Sequence, residues 1–441
     1  MTFKFGKLKL FEINPLSSIE ILFLFYVSSV IIISMMPIGN LISKAIGFIF
    51  IFYFIVVYIF WTKAKLYLSK EFIYIVIWIF FCILSGMFAK DIELVSIKIL
   101  TILQLVIFFI AGYSVVLQGN ISERQIFYTF IFSMLIVILY GIGTYEPISG
   151  FAYKNRIAST TGNPNNLAAY GSFAYIFCLY LISIEKNKLI RFIAIIFTIA
   201  VAYGILKTLS RQGIIMMVGG TAIYCTIRII YNFRNSANRG KHFFKLFIIT
   251  LGIIGIIAIS LKYLSDSHYY FRIKTLLSFA QMGISSSTVN LAKIVDYSAY
   301  ERSQFIIYGI KIWLDNLLFG VGLDNFRVTI RQYWPISNST YSHNNYIELL
   351  STIGTIGSIA YYAIYYSVFN RLLKIRKTFK LSARQINLIH IFYTALCTLL
   401  LVELVTVSYS KKFTWILLVI IIGLSDRIVP QKENRLIENT N

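Results

Sequence analysis

Tyr341–Gly357 reads Tyr-Ser-His-Asn-Asn-Tyr-Ile-Glu-Leu-Leu-Ser-Thr-Ile-Gly-Thr-Ile-Gly. A polar cluster, Ser342-His343-Asn344-Asn345, runs straight into a long apolar helix with no linker between them. Ser342 reads as the N-cap, its hydroxyl accepting from the orphan N–H groups of the first turn. His343 then stands at the mouth of the helix, near the positive end of its dipole. A partial positive charge there disfavours imidazolium and keeps the ring neutral, as a general base requires. Gly354, Gly357 and Ser358 offer a small-residue face on which another helix can pack closely. A polar helix cap at a membrane surface accounts for the same stretch, so the rest of the chain has to decide.

Working outward, composition fixes the solvent. The 441 residues are 58% hydrophobic and 17% aromatic, only 13% are charged, and mean hydropathy is +0.75. Such a chain is polytopic and all-helical, because a bilayer leaves backbone groups no partners outside a helix or a closed barrel. No alternating strand pattern competes. A net charge of +23 would point to nucleic acid in a soluble protein; here the positive-inside rule explains it and nucleic acid is not expected. Cys82, Cys178, Cys225 and Cys397 all lie in apolar runs, which argues against a disulfide framework or a zinc site.

Twelve apolar runs are long enough, or nearly so, to cross about 30 Å of hydrocarbon. They are Ile19–Met36, Leu41–Phe60, Phe72–Phe88, Ile99–Val116, Phe127–Gly143, Leu167–Ile184, Ile190–Leu206, Ile214–Tyr231, Phe243–Leu261, Tyr346–Val368, Ile386–Val407 and Phe413–Leu424. The first reads as a retained signal-anchor rather than a cleavable signal. The chain thus divides into a nine-helix part (1–261), a long loop (262–345) and a three-helix part with a tail (346–441). With both termini in the cytoplasm, the inner segments carry 24 Lys and Arg against 9 in the short outer ones. The long loop is exempt from that comparison.

This orientation puts every chemically suggestive cluster outside. They are Arg156 with Gly162-Asn163-Pro164-Asn165, then Ser210-Arg211-Gln212-Gly213, then Arg302 in the long loop, and the His343 cluster. In the long loop Ile306, Ile310, Trp313, Leu314 and Leu317 recur at helical spacing, an amphipathic helix able to lie on the membrane or cap the bundle. Gly320-Val321-Gly322 ends it, and Asp324 is placed to cap a following turn. Arg211 has almost no loop to solvate it, and an unpaired arginine at membrane depth costs about 2.5–3.5 kcal/mol. Phosphate oxygens suit its fork. Snorkelling to headgroups is a second account, and an internal ion pair with Glu403 a third. No Asp-x-Asp pair or Walker loop is present, so neither a metal-held nucleotide-sugar nor ATP is expected.

On these motifs the chain resembles the O-antigen ligase and O-antigen polymerase superfamily of bacterial inner-membrane glycosyltransferases. The sharpest points are Ser210-Arg211-Gln212-Gly213, the Arg302 helix ending in Gly320-Val321-Gly322-Leu323-Asp324-Asn325-Phe326, and Ser342-His343-Asn344-Asn345-Tyr346. The resemblance implies a metal-independent, inverting, cofactor-free transfer of glycan from undecaprenyl diphosphate on the outer face of the cytoplasmic membrane. Arg211 and Arg302, with Arg156, would hold the diphosphate, and His343 would act on the acceptor hydroxyl. Asn344 and Asn345 would position the acceptor or His343, or simply cap the helix. The acceptor is a glycan or a lipid-linked oligosaccharide, with membrane lipids, a chain-length regulator and a flippase as further partners. Polymerisation of repeat units of an O-antigen, capsule or exopolysaccharide is the expected reaction. Ligation to a lipid A-core or other acceptor is the alternative. A flippase is disfavoured because neither internal repeats nor midplane polar residues are evident.

Overall fold

The computed structural model describes residues 4–5, 8–9, 15–33, 36–61, 65–144, 157–235, 240, 297–335 and 340–429. Apart from a two-residue ladder pairing Lys4–Phe5 with Leu8–Lys9, these residues are helices and their connections. In chain order the helices are α1 (Pro15–Ile32), α2 (Pro37–Tyr53, continuing as a wider coil to Trp61), α3 (Glu71–Ser85), α4 (Ile92–Gln118), α5 (Glu123–Gly143), α6 (Pro164–Ile184), α7 (Lys188–Lys207) and α8 (Arg211–Asn235). After the undescribed stretch come α9 (Tyr297–Asp315), α10 (Phe326–Tyr333), α11 (Asn345–Thr378), α12 (Ala383–Glu403) and α13 (Lys412–Ile428).

Among the described residues nine helices are long and apolar enough to cross a membrane, so the protein is multi-pass. Two further expected spans are helices that fall short of that measure: α1, apolar over Ser18–Ile32, and the 17-residue α13. The ninth expected span, Phe243–Leu261, lies outside the described residues, as do residues 262–296 of the long loop. Of the twelve expected spans, nine are thus helices of crossing length among the described residues, two are shorter helices and one lies outside them. Charge explains why α13 is short: Lys412 opens it and Asp426 and Arg427 close it. Its apolar stretch is buried from Phe413 to Leu424 and packs along α4 at the centre of the bundle.

Polar side chains sort to two ends. At one end Arg371 on α11 joins Glu71 on α3 and Asp426 on α13, and Ser367 and Tyr113 donate to the same two carboxylates. Arg384 meets Glu123 there (2.5 Å), and Arg124 meets Glu185 (3.4 Å). The other end carries Arg211, Arg302 and His343. Each of these contacts links segments that the alternation of spans puts on one side of the membrane.

The most informative packing lies in α11. Gly354 sits inside the helix at φ 70°, ψ −173°, and breaks it. Ser351 and Thr352 would lose their carbonyl partners there, but the turn after α9 supplies them. Val321 N–H donates to Ser351 O (3.0 Å), Gly322 N–H to Thr352 O (2.9 Å), and Thr355 N–H to Leu317 O (2.8 Å). A Cβ at Gly354 would strike the Leu318 carbonyl, and one at Gly320 (φ 68°) the Thr352 backbone. Gly354 is therefore a socket for the long loop and not part of a smooth small-residue face. The next residues continue the anchoring: Leu323 N–H donates to Ser85 Oγ (3.1 Å), and Asn325 exchanges two bonds of 2.9 Å with the Asp91 backbone.

These anchors hold α9 across the end of the bundle. Its buried face is Phe305 and Ile312, in a small core with Val321, Phe326, Ile330 and Trp334. The apolar stripe visible in the sequence is mostly the opposite face: Ile306, Ile310, Leu314 and Leu317 are 36–55% exposed. Trp313 alone is tied inward, donating to Thr355 Oγ1 (3.0 Å). The helix caps the bundle with one face and leaves the other bare.

Candidate functional site

Asn344, and not Ser342, caps α11: its side chain accepts from Tyr346 N–H (2.9 Å) and Ile347 N–H (3.1 Å). Its backbone is extended (φ −144°, ψ 119°), as an N-cap requires. Ser342 is committed locally instead, donating to Asn344 O (2.7 Å) and accepting from Asn344 N–H (3.3 Å). Glu348, buried one turn into α11, reaches back and accepts from Ser342 N–H (2.8 Å). Between these two fixed residues His343 takes a left-handed conformation, φ 58°. That costs a non-glycine residue on the order of 1 kcal/mol, which the bonds on either side offset.

The imidazole is half-buried. It stacks on Phe305 (centroids 6.2 Å apart, planes at 19°) and leans on Tyr341 (4.3 Å). Arg302 lies one turn before Phe305 on α9, so the helix that covers His343 also brings the guanidinium to it. Burial, then the charges of Arg302 and Lys411, push the His343 imidazole down from 6.5 to about 4. No hydrogen bond occupies either ring nitrogen among the described residues.

Lys411, in the α12–α13 turn, is a residue that the sequence reading missed. Its Nζ donates to Asn166 Oδ1 (3.2 Å) and Thr406 Oγ1 (3.3 Å), and burial pushes it down from 10.5 to about 8. Its signal was available: Lys411-Lys412 breaks the scarcity of lysine on that side and directly precedes an apolar run. Glu348 was missed because nothing in a helical sequence shows a side chain folding back past its own N-terminus.

Asn166 and its neighbours connect two further clusters. Asn163 caps α6 by accepting from Asn165 N–H (2.8 Å). Asn165 Oδ1 accepts from Ser210 Oγ (2.8 Å), and Ser210 Oγ in turn receives Gly213 N–H at the start of α8 (3.4 Å). A Cβ on Gly213 would come within 2.6 Å of Ala168 Cβ, so the glycine lets α8 close on α6. Arg211 is thereby set at the half-buried mouth of α8, on the same rim as Lys411. Arg156 lies outside the described residues; the next residue, Ile157, donates its N–H to Lys207 O (3.1 Å) beside this turn.

Asn345 and Glu403 stand behind the rim. Asn345 is fully buried; its Oδ1 receives Ser408 N–H (2.9 Å) and Tyr409 N–H (3.2 Å), fixing the α12–α13 turn. Asn344 Nδ2 donates to Leu404 O (3.1 Å) in the same turn. Glu403 does not pair with Arg211. Its Oε1 takes hydroxyls from Tyr361 (3.1 Å), Tyr365 (2.7 Å) and Ser408 (2.6 Å). Hydroxyls are close at hand and cost less to desolvate than a guanidinium, so an ion pair has no advantage there.

A half-buried imidazole with Arg302 and Lys411 acting on it, and Arg211 on the same rim, thus marks one end of a multi-pass helical protein. Residues 192–362, which hold Arg211, Arg302 and His343, match the family model described as O-Antigen ligase. Over 302 residues the chain is 24% identical to the teichuronic acid biosynthesis protein TuaE of Bacillus subtilis (strain 168). That similarity covers 65% of this chain and 57% of the relative, less than two thirds of its length. Both likenesses agree with the resemblance that the sequence motifs carry.

Proposed function

We propose that the protein is a metal-independent, inverting glycosyltransferase that polymerises undecaprenyl-diphosphate-linked repeat units on the outer face of the cytoplasmic membrane. The observation that carries this reading is the His343 site: an imidazole kept neutral by burial, Arg302 and Lys411, its ring nitrogens without hydrogen bonds among the described residues. In the reaction an acceptor hydroxyl attacks the anomeric carbon from the face opposite the diphosphate. His343 takes the hydroxyl proton, the new C–O bond forms, and the old C–O bond breaks with its electron pair passing to the diphosphate. Arg302, Lys411 and Arg211 face the charge that develops on the leaving group, with Arg156 assigned to the same task. Asn344 and Asn345 hold the turn that carries Lys411, so their part in substrate binding is to shape the rim. Glu403 supports that turn through Ser408.

Reconstitution in proteoliposomes with a purified lipid-linked repeat unit tests the reaction. Products longer than one unit are expected in the presence of a strong chelator. Chelator inhibition reversed by Mg²⁺ would count against the scheme. Ligation is the second reading, because both reactions need the same donor and the same base. Deletion in the native host separates them. Loss of a polymerase leaves single repeat units on the final acceptor; loss of a ligase strands long glycan on the lipid diphosphate.

A further inference from the structure

At the end opposite His343, α8, α11 and α12 bring together two arginines and two buried polar side chains that have no partner among the described residues. His390 on α12 is 1% exposed, and neither ring nitrogen has a partner among the described residues. Tyr393, one turn on, has a buried hydroxyl in the same state. The Tyr231 ring of α8 lies against His390 (centroids 5.2 Å apart, planes at 66°), and Arg376 of α11 places its guanidinium over Tyr231 at 5.2 Å. The charges of Arg376 and Arg228 both act on His390, and that of Arg376 acts on Tyr393. Arg228 donates to Tyr224 Oη (3.3 Å).

Among the described residues neither arginine pairs with a carboxylate, because the acids at this end are already used. Glu71 and Asp426 hold Arg371, Glu123 holds Arg384, and Glu185 holds Arg124. Depth also fits. Arg371 is seven residues before the end of α11 and His390 seven after the start of α12, so His390 stands level with the ionic cluster that marks this end. Buried polar groups left without partners are costly, and a phosphate would satisfy those of His390 and Tyr393 together with the arginines.

We propose that the cluster of Arg228, Arg376, His390 and Tyr393, where α8, α11 and α12 meet, binds a phosphate group carried by an anionic membrane lipid. The carrier is a lipid because Ile230 and Leu373, beside the two arginines, are 45% and 42% exposed and offer apolar surface to acyl chains. Basic pockets between membrane helices are suited to such headgroups. The site is separate from the His343 end, and its test needs no glycan transfer.

The experiment follows thermal unfolding of the full chain in neutral detergent with added phosphatidylglycerol, phosphatidylcholine or inorganic phosphate. Phosphatidylglycerol alone should raise Tm. Combining Arg228→Gln with Arg376→Gln should weaken its apparent affinity roughly tenfold. If that variant does not fold, His390→Phe keeps the ring against Tyr231 and removes the nitrogens. It should weaken the lipid response while leaving Tm without lipid unchanged or higher. Three results would each overturn the proposal: equal stabilisation by phosphatidylcholine, equal stabilisation by inorganic phosphate, or an undiminished phosphatidylglycerol response in the variants.

Discussion

His343 is strained at φ 58°, desolvated and faced by two cations, and all three conditions come from its neighbours. Its folded value near 4 lies below the ordinary 6.5, so the proton prefers the unfolded chain. The stability linked to this residue is present above about pH 6.5 and is lost as pH falls towards 4. The acid limb of kcat/KM, which reports the free enzyme, should therefore fall near pH 4 and not near 6.5. Bound diphosphate would offset Arg302 and Lys411, so the acid limb of kcat should lie higher. A pH series on the reconstituted protein checks both, and a kcat/KM limb at 6.5 would show an unperturbed imidazole. Lys411, lowered to about 8, gives the opposite side of the profile. Only its protonated form attracts diphosphate, so kcat/KM should decline above pH 8, and Lys411→Arg should remove that decline. His343→Ala should abolish transfer with folded protein retained. Arg302→Lys should be nearly as damaging as Arg302→Ala, since an ammonium lacks the two-pronged fork.

At the scale of elements, the broken helix α11 and the turn after α9 form a single unit. The amides of Val321 and Gly322 complete carbonyls that Gly354 leaves open, and the same turn sets the height of Phe305 and Arg302 above His343. Gly354→Ala puts a Cβ into the Leu318 carbonyl at a positive φ, and should cost about 2–4 kcal/mol. Thermal unfolding and transfer activity should fall together. A fully active, equally stable Gly354→Ala protein would show that the loop does not hold the site. The sequence pointed to Gly320-Val321-Gly322 as a helix stop and Asp324 as a cap. In the fold Asp324 instead pairs with Lys98 (3.3 Å) and Arg327, and α10 is preceded by Asn325 without a side-chain cap. Local capping rules find the ends of helices. They cannot show that a turn fills a gap in a helix some thirty residues further along the chain.

Across the whole molecule, polar contacts fall into two sets at opposite ends, and the sequence orientation predicts which set faces which solvent. With the native cysteines replaced, single cysteines at the exposed positions Lys207 and Tyr341 should react with an impermeant thiol reagent from outside, and one at Arg376 from the cytoplasm. Labelling of the Lys207 and Tyr341 positions from the cytoplasm alone would reverse the topology. The Glu71–Arg371–Asp426 cluster ties α3, α11 and α13 together at the far end, and Arg371 is only 12% exposed. Arg371→Ala leaves the buried Glu71 and the partly buried Asp426 without their cation and should destabilise the fold by about 3 kcal/mol, read as a lowered Tm.

What the sequence determined by itself was the helical class and the placement of the nine apolar runs that form helices of membrane-crossing length among the described residues. Hydropathy and charge act residue by residue, and a bilayer demands internally satisfied backbone, so those features are legible without contacts. Tertiary structure alone decided which residue caps α11, which face of α9 is buried, that Glu403 is held by hydroxyls, and that Lys411 stands at the site. Each depends on partners tens to hundreds of residues apart in the chain: Asn166 with Lys411, Asn345 with Ser408, Phe305 with His343. A side chain's pairing is settled by competition among all the groups that packing brings within reach, and that set exists only once the helices have assembled.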